Sequence, residues 1–202
     1  MQATPHKEPK TRPTPTSAGL KAHLRRTGRS DDALTFEYAA APDGVDSNLL
    51  IMLHGLGDSS APFMRLGKTL QRTLPQTAVL SVNAPRRVPL LEEEAWMWWD
   101  SFDTLGENPR HAIGALAGLL SYIHELGWPQ ERIHLFGYAQ GGSLALETLV
   151  AERRSLAVGS VVSVVGPLLS HPTFSPALSV PLMLITRIPA AVLQTPVVRL
   201  PT

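Results

Sequence analysis

Ile133-His134-Leu135-Phe136-Gly137-Tyr138-Ala139-Gln140-Gly141-Gly142-Ser143-Leu144-Ala145 is the stretch on which the fold of this chain turns. Ile133 to Phe136 is a short apolar run of strand type, and Gly142 to Val150 has helical composition. Between them, glycines at 137, 141 and 142 allow the chain to reverse sharply, because a residue without a Cβ tolerates close backbone approach. The apex of that turn is Ala139, whose side chain is a single methyl group.

Outward from the turn, strands and helices alternate. A first edge strand is expected at Leu34 to Tyr38, and buried strands at Leu49 to Leu53, Ala78 to Val82, Val161 to Val165 and Leu182 to Ile185, the last becoming a bare sheet edge, prone to aggregation, if the chain ends as given. Their continuous apolar runs lack period-two alternation, which implies strands covered on both faces. The fold class is therefore α/β, a mostly parallel sheet with helices above and below. One helix is expected to be capped by Ser59 or Ser60, to carry Pro62 in its first turn, and to turn Phe63, Leu66, Leu70 and Leu74 inward. A second is expected from Asn108, with Pro109 at its first position, Ile113, Leu116, Ala117, Leu120 and Ile123 facing inward, and Gly127 ending it. The helix after Ala139 is apolar around most of its circumference and is expected to be the most buried of all.

Composition narrows the function classes. A chain of 202 residues supports one domain, and 18 Lys plus Arg against 17 Asp plus Glu gives no bias toward nucleic acid as a partner. Cysteine is absent, which removes disulfides, thiolate catalysis and thiolate metal sites and fits a reducing, cytoplasmic setting. Leu156 to Leu169 is too short to span a membrane and is interrupted by Ser160, Ser163 and Pro167. Residues 1–30 carry seven Lys or Arg against Glu8 alone, with four prolines by position 15, and are expected to be a disordered basic tail. An organelle transit peptide shares that composition, although the prolines oppose the amphipathic helix it needs.

The chemistry-bearing residues gather around the turn. Gly137-Tyr138-Ala139-Gln140-Gly141 has the spacing of the G-x-S-x-G nucleophile elbow, with alanine in the serine's place. His54-Gly55-Leu56-Gly57-Asp58 directly follows another apolar strand, where glycines let main-chain N–H groups approach a developing oxyanion. With the Ala95 to Phe102 segment, these motifs resemble the phospholipase/carboxylesterase family, which includes acyl-protein thioesterases. The resemblance covers about residues 34–187. It implies an α/β-hydrolase domain over 33–187, no cofactor and no metal, and acyl esters or thioesters as substrates, acylated proteins among them.

By position, the resemblance makes Ala139 the unreactive occupant of the nucleophile's place and Leu56 and Gln140 main-chain oxyanion donors. Gly55 and Gly57 would shape the loop, and Trp98 and Trp99 would wall the acyl pocket, against the plainer reading of Trp96, Trp98 and Trp99 as core. The family's acid and histidine follow the nucleophile in chain order. After Glu152 no Asp or Glu occurs, and the only histidine beyond the turn is His171. The stretch 188–202, with Pro189, Pro196 and Pro201, reads as a non-family tail, so the final strand and helix that the resemblance implies are expected to be missing.

Plainer roles are assigned to the other candidates. His54 is read as holding its loop by hydrogen bonds, His134 as a satisfied core histidine, His111 and His124 as solvated helix residues, and His171 as a loop residue. Ser143 points along the helix and does not replace the nucleophile, and Glu92 to Glu94 form a solvated loop. Three functions stay open at this point: an ester or thioester hydrolase homologue that is impaired or inactive, a non-catalytic binder of acyl chains or a partner, and a truncated product without stable function.

Overall fold

The computed structural model describes residues 12–28, 34–89, 94–100, 109–152, 157–170 and 180–186. In chain order its elements are α1 (Ser17–Thr27), β1 (Thr35–Ala39), β2 (Asn48–Leu53), α2 (Ser60–Leu70), β3 (Thr77–Asn83), β4 (Arg86–Arg87), β5 (Trp96–Met97), α3 (Arg110–Glu125), a 3₁₀ turn (Gln130–Arg132), β6 (Ile133–Tyr138), α4 (Gln140–Ala151), β7 (Ser160–Val164) and β8 (Leu182–Ile185). Six strands form one sheet in the order β1-β3-β2-β6-β7-β8. All neighbours are parallel except β1, which runs antiparallel to β3.

Register explains the core. Leu49 pairs with Ile133 and Ile51 with Leu135, and because alternate residues share a face, all four enter one cluster with Leu116, Leu119, Leu144 and Trp128 of the helical layer. Met52 and Val79 point to the other face, where they meet Phe63 and Met64 of α2. β2 and β6 lie in the middle of the sheet, so the loops at their C-terminal ends are brought side by side. The elbow helix is the buried one expected, every residue from Gln140 to Leu149 being shielded.

Several expectations are corrected. Residues 17–27 form a helix rather than part of a disordered tail: Thr16 caps it by accepting from the Gly19 N–H at 3.0 Å, and Gly28 closes it at φ 68°. Leu20, His23 and Leu24 are buried, and Glu125 of α3 bonds His23 Nδ1 at 3.0 Å and Arg26 at 2.5 Å. Arg12 adds a cation–π contact 4.6 Å above Trp128. Two leucines four apart, buried as the helix packs on α3, supply what the isolated basic segment lacks.

Leu66 of α2 and Leu74 beyond its end are exposed, and Met64 and Gly67 are buried in that helix beside Phe63. Ser59 occupies the N-cap but makes no cap bond; the Ser60 N–H is taken by Asn83 Oδ1 at 2.6 Å. α3 begins at Arg110 behind Pro109, and Asn108 lies outside the described residues, as do Glu92, His171 and 188–202.

The largest correction concerns cover. On the α2 face, Phe63 reaches as far as Phe136, 6.5 Å between ring centroids, and Val162 and Val164 of β7 beyond it are half-buried. Leu182, Met183, Leu184 and Ile185 are 51, 58, 53 and 48% exposed, so β8 is not the buried strand its apolar run suggests. Ser160, Val161, Val162, Pro181, Leu182 and Met183 line an open, mostly apolar groove of about 250 Å³ beside it.

Candidate active site

β6 ends at Tyr138 and α4 begins at Gln140, so Ala139 alone carries the reversal, at φ 47° and ψ −115°. A non-glycine residue in such a region costs about 1–3 kcal/mol, which the surroundings must impose. They do so by close packing. A Cβ on Gly137 would strike the Gly141 carbonyl, and one on Gly141 would strike the carbonyl of Leu53 at the end of β2. The Ala139 N–H donates to Val164 O at 2.8 Å, and the Ala139 carbonyl accepts from the Ser143 N–H at 3.0 Å. Val165, next to that acceptor, is itself at φ 58°. Among the described residues, these are the two non-glycine positions with positive φ, and they meet at one spot on the C-terminal edge of the sheet.

The loop after β2 passes directly beside the elbow. A Cβ on Gly55 would stand 3.4 Å from the Ala139 Cβ and 3.0 Å from the Tyr138 ring, so the two loops are in close contact here. Gly57, at φ 82°, donates its N–H to Trp96 O at 2.9 Å, and Trp96 returns a bond to Asp58 O at 3.0 Å. Gly57 is thus a turn residue whose N–H is already used. Leu56 is exposed, and its N–H meets no acceptor among the described residues, as an oxyanion donor requires.

Gln140 contributes more than its main chain. Its side-chain Oε1 accepts from the Trp98 N–H at 2.9 Å, and its Nε2 donates to Trp99 O at 2.8 Å, tying the β5 segment to the elbow. Trp98 is 2% exposed and its Nε1–H donates to His54 O at 2.8 Å, which makes it a support under the loop and not a pocket wall. Trp99 is only partly buried and keeps a surface toward solvent.

His54 is fully buried and both ring nitrogens are engaged. Nε2 accepts from the Ala84 N–H at 3.0 Å, which leaves the proton on Nδ1, where it is donated to Gly55 O at 2.7 Å. Burial holds its pKa below the usual histidine value, so it stays neutral. Its role is to hold the loop. His23, His111 and His124 belong to α1 and α3, and Ser143 is 2% exposed inside α4. Among the described residues, no three His, Cys, Asp or Glu side chains gather as a metal site requires.

Two residues near the site were missed in the sequence. Glu147 is 6% exposed, and its Oε1 accepts from the N–H groups of Leu169 and Ser170 at 2.6 and 2.9 Å, fixing the loop after β7. A lone carboxylate on the otherwise apolar circumference of α4 was the available signal. Gly166, whose added Cβ would lie 2.5 Å from Ser143 N and 2.7 Å from Ala139 O, presses that loop onto the elbow.

Comparison with known proteins now decides the family. Residues 36–187 match the phospholipase/carboxylesterase family model. The chain belongs to that family. An uncharacterized hydrolase of Mycosarcoma maydis is 45% identical over 148 residues, covering 69% of this chain and 56% of that protein. Acyl-protein thioesterase 1 of Cryptococcus neoformans is 27% identical, covering 58% of this chain and 54% of its own length. The chain thus spans about half the length of these relatives. Among solved structures, esterase PE8 superposes with a TM-score of 0.60 at 21% identity, covering 68% of this chain and 66% of its own. A carboxylesterase from Mesorhizobium loti gives 0.53 at 14% identity, covering 88% and 75%. These neighbours identify the fold as that of the α/β-hydrolases, and the family is one of hydrolases with esterase and thioesterase members.

Proposed function

We propose that this phospholipase/carboxylesterase family chain is a pseudoenzyme at its elbow: it receives the acyl part of an ester or thioester beside Ala139 without forming an acyl-enzyme there. The observation that carries this reading is Ala139 itself, held at φ 47° in the apex position with a methyl group where the reaction needs an oxygen. The strained backbone, the close Gly55 and the unengaged Leu56 N–H support retained recognition of a carbonyl oxygen. Leu56, Gln140 through its main chain, and Trp99 are the contacts assigned to the acyl group, in a reducing compartment such as the cytoplasm, with an acylated protein as one substrate.

The test measures binding and turnover separately. A nonhydrolysable long-chain acyl thioether should quench tryptophan fluorescence saturably, and p-nitrophenyl octanoate should show no multiple turnover. Ala139→Ser alone should leave turnover absent, because an unassisted hydroxyl is a weak nucleophile without a neighbouring base. Turnover at rates usual for esterases, about 1 per second or faster, in the wild type or in Ala139→Ser would overturn the reading. Absence of thioether binding would leave a family scaffold without the binding role.

A further inference from the structure

At the opposite end of β6, Ser160 of β7 lies against His134, with Ser160 Oγ 2.9 Å from His134 Nδ1. The other ring nitrogen, Nε2, faces Asn48 Oδ1 of β2 at 3.4 Å, and Arg132 NH1 donates to the same oxygen at 3.4 Å. These contacts favour one tautomer. Because Arg132 marks the Asn48 atom as an acceptor, the His134 proton resides on Nε2 and Nδ1 presents a lone pair to the Ser160 hydroxyl. Partial burial and the Arg132 charge hold the His134 pKa below its ordinary value, so the imidazole is neutral at pH 7 and its Nδ1 lone pair is free to accept a proton. Gly159 makes the arrangement possible, since a Cβ there would lie 2.7 Å from His134 Cε1. Ser160 also lines the open groove of about 250 Å³ whose other walls are Val161, Val162, Pro181, Leu182 and Met183.

We propose that Ser160, with His134 as its base and Asn48 as the residue that positions the base, is an acyl-accepting nucleophile for small activated carboxylic esters that enter this apolar groove. The Ser160 oxygen bonds to the ester carbonyl carbon while its proton passes to His134 Nδ1. Collapse of the tetrahedral adduct breaks the bond to the leaving alcohol or phenol, which takes that proton, leaving an acyl-Ser160 ester and neutral His134. An aligned serine and imidazole accelerate such a step by roughly 10²–10⁴ over an unassisted hydroxyl. The reaction is stoichiometric acylation, one acyl group per chain, and it is independent of the elbow.

Intact-mass spectrometry after incubation with p-nitrophenyl acetate tests this on the full chain. The expected result is a single acetyl adduct, mapped by peptide sequencing to Ser160, that is lost in Ser160→Ala and formed about 100-fold more slowly in His134→Gln. Ser160→Cys, which keeps a nucleophile on the same carbon, should still be acylated with a rate that depends on His134. Asn48→Asp, which keeps an acceptor for Nε2–H, should retain more of the rate than Asn48→Leu. Absence of an adduct in the wild type, an adduct at another residue, or a rate indifferent to His134→Gln would overturn the proposal. An adduct at Ser160 without multiple turnover leaves the reading of the Ala139 elbow untouched, whereas multiple turnover that survives Ser160→Ala overturns that reading and not this one.

Discussion

The two ends of β6 differ in what they hold. At its C-terminal end, past Tyr138, the backbone is strained, glycine-packed and braced by Gln140 and Glu147, yet the residue at the apex has no reactive atom. At its N-terminal end, His134, Ser160 and Asn48 supply a hydroxyl, a base and an orienting amide, but on ordinary strand backbone beside an open groove. The elbow is held by steric fit, which Ala139 satisfies without a reactive atom, whereas a side-chain pair needs only register between neighbouring strands.

The harshest way to break the comparison is Gly141→Ala. Its methyl would collide with backbone carbonyls of Leu53 and His54 that cannot move aside, so a loss of about 4 kcal/mol or more in urea denaturation, or failure to fold, is expected. A loss below about 1 kcal/mol would show that the elbow is not sterically fixed. Next is Glu147→Ala, which strands the Leu169 and Ser170 N–H groups and should cost about 2–3 kcal/mol by the same measurement, with Glu147→Gln costing less because one acceptor remains.

A change in pH acts at both ends together. His54 and His134 have folded pKa values below the unfolded value of 6.5, so the unfolded chain binds more protons in this range. Their contribution is complete above pH 6.5 and is lost as pH falls from there through the lower folded values. Melting temperature should therefore decline on acidification below pH 6.5, and His134→Gln should flatten part of that decline. The smallest effect sharpens the comparison: Ala139→Gly, which relieves positive φ, should stabilise the chain by about 1 kcal/mol, while the same change at an unstrained exposed alanine destabilises. Equal destabilisation at both positions would mean that the apex carries no strain.

Much of this was legible in the residues. Apolar runs located β2 and β3, whose residues are almost all shielded inside the parallel sheet, and also β6, β7 and β8, the last despite its exposed faces. The G-x-A-x-G spacing located the elbow, since only small residues let α4 press on the end of β2. The plain reading of His54 as a loop holder agrees with its two ring hydrogen bonds. The burial of β8 was misjudged because an apolar run records what a strand could bury and not whether a neighbour arrives. Trp98 and Trp99 looked alike in the sequence, and only the bond from Trp98 to His54 separated support from surface. α1 was misjudged because its partners lie far along the chain: His23 meets the Tyr122 ring, Glu125 bonds His23 and Arg26, and Leu20 and Leu24 join the main core cluster.

By itself the sequence determined the strand and helix alternation, the elbow and the absence of an oxygen at its apex, since these depend on residues adjacent in the chain. The tertiary structure decided that the Leu56 N–H meets no acceptor among the described residues, that Val165 shares the strain of Ala139, and that Ser160 meets His134. Those facts arise from strand register, which aligns residues separated by tens of positions, and no local pattern encodes it.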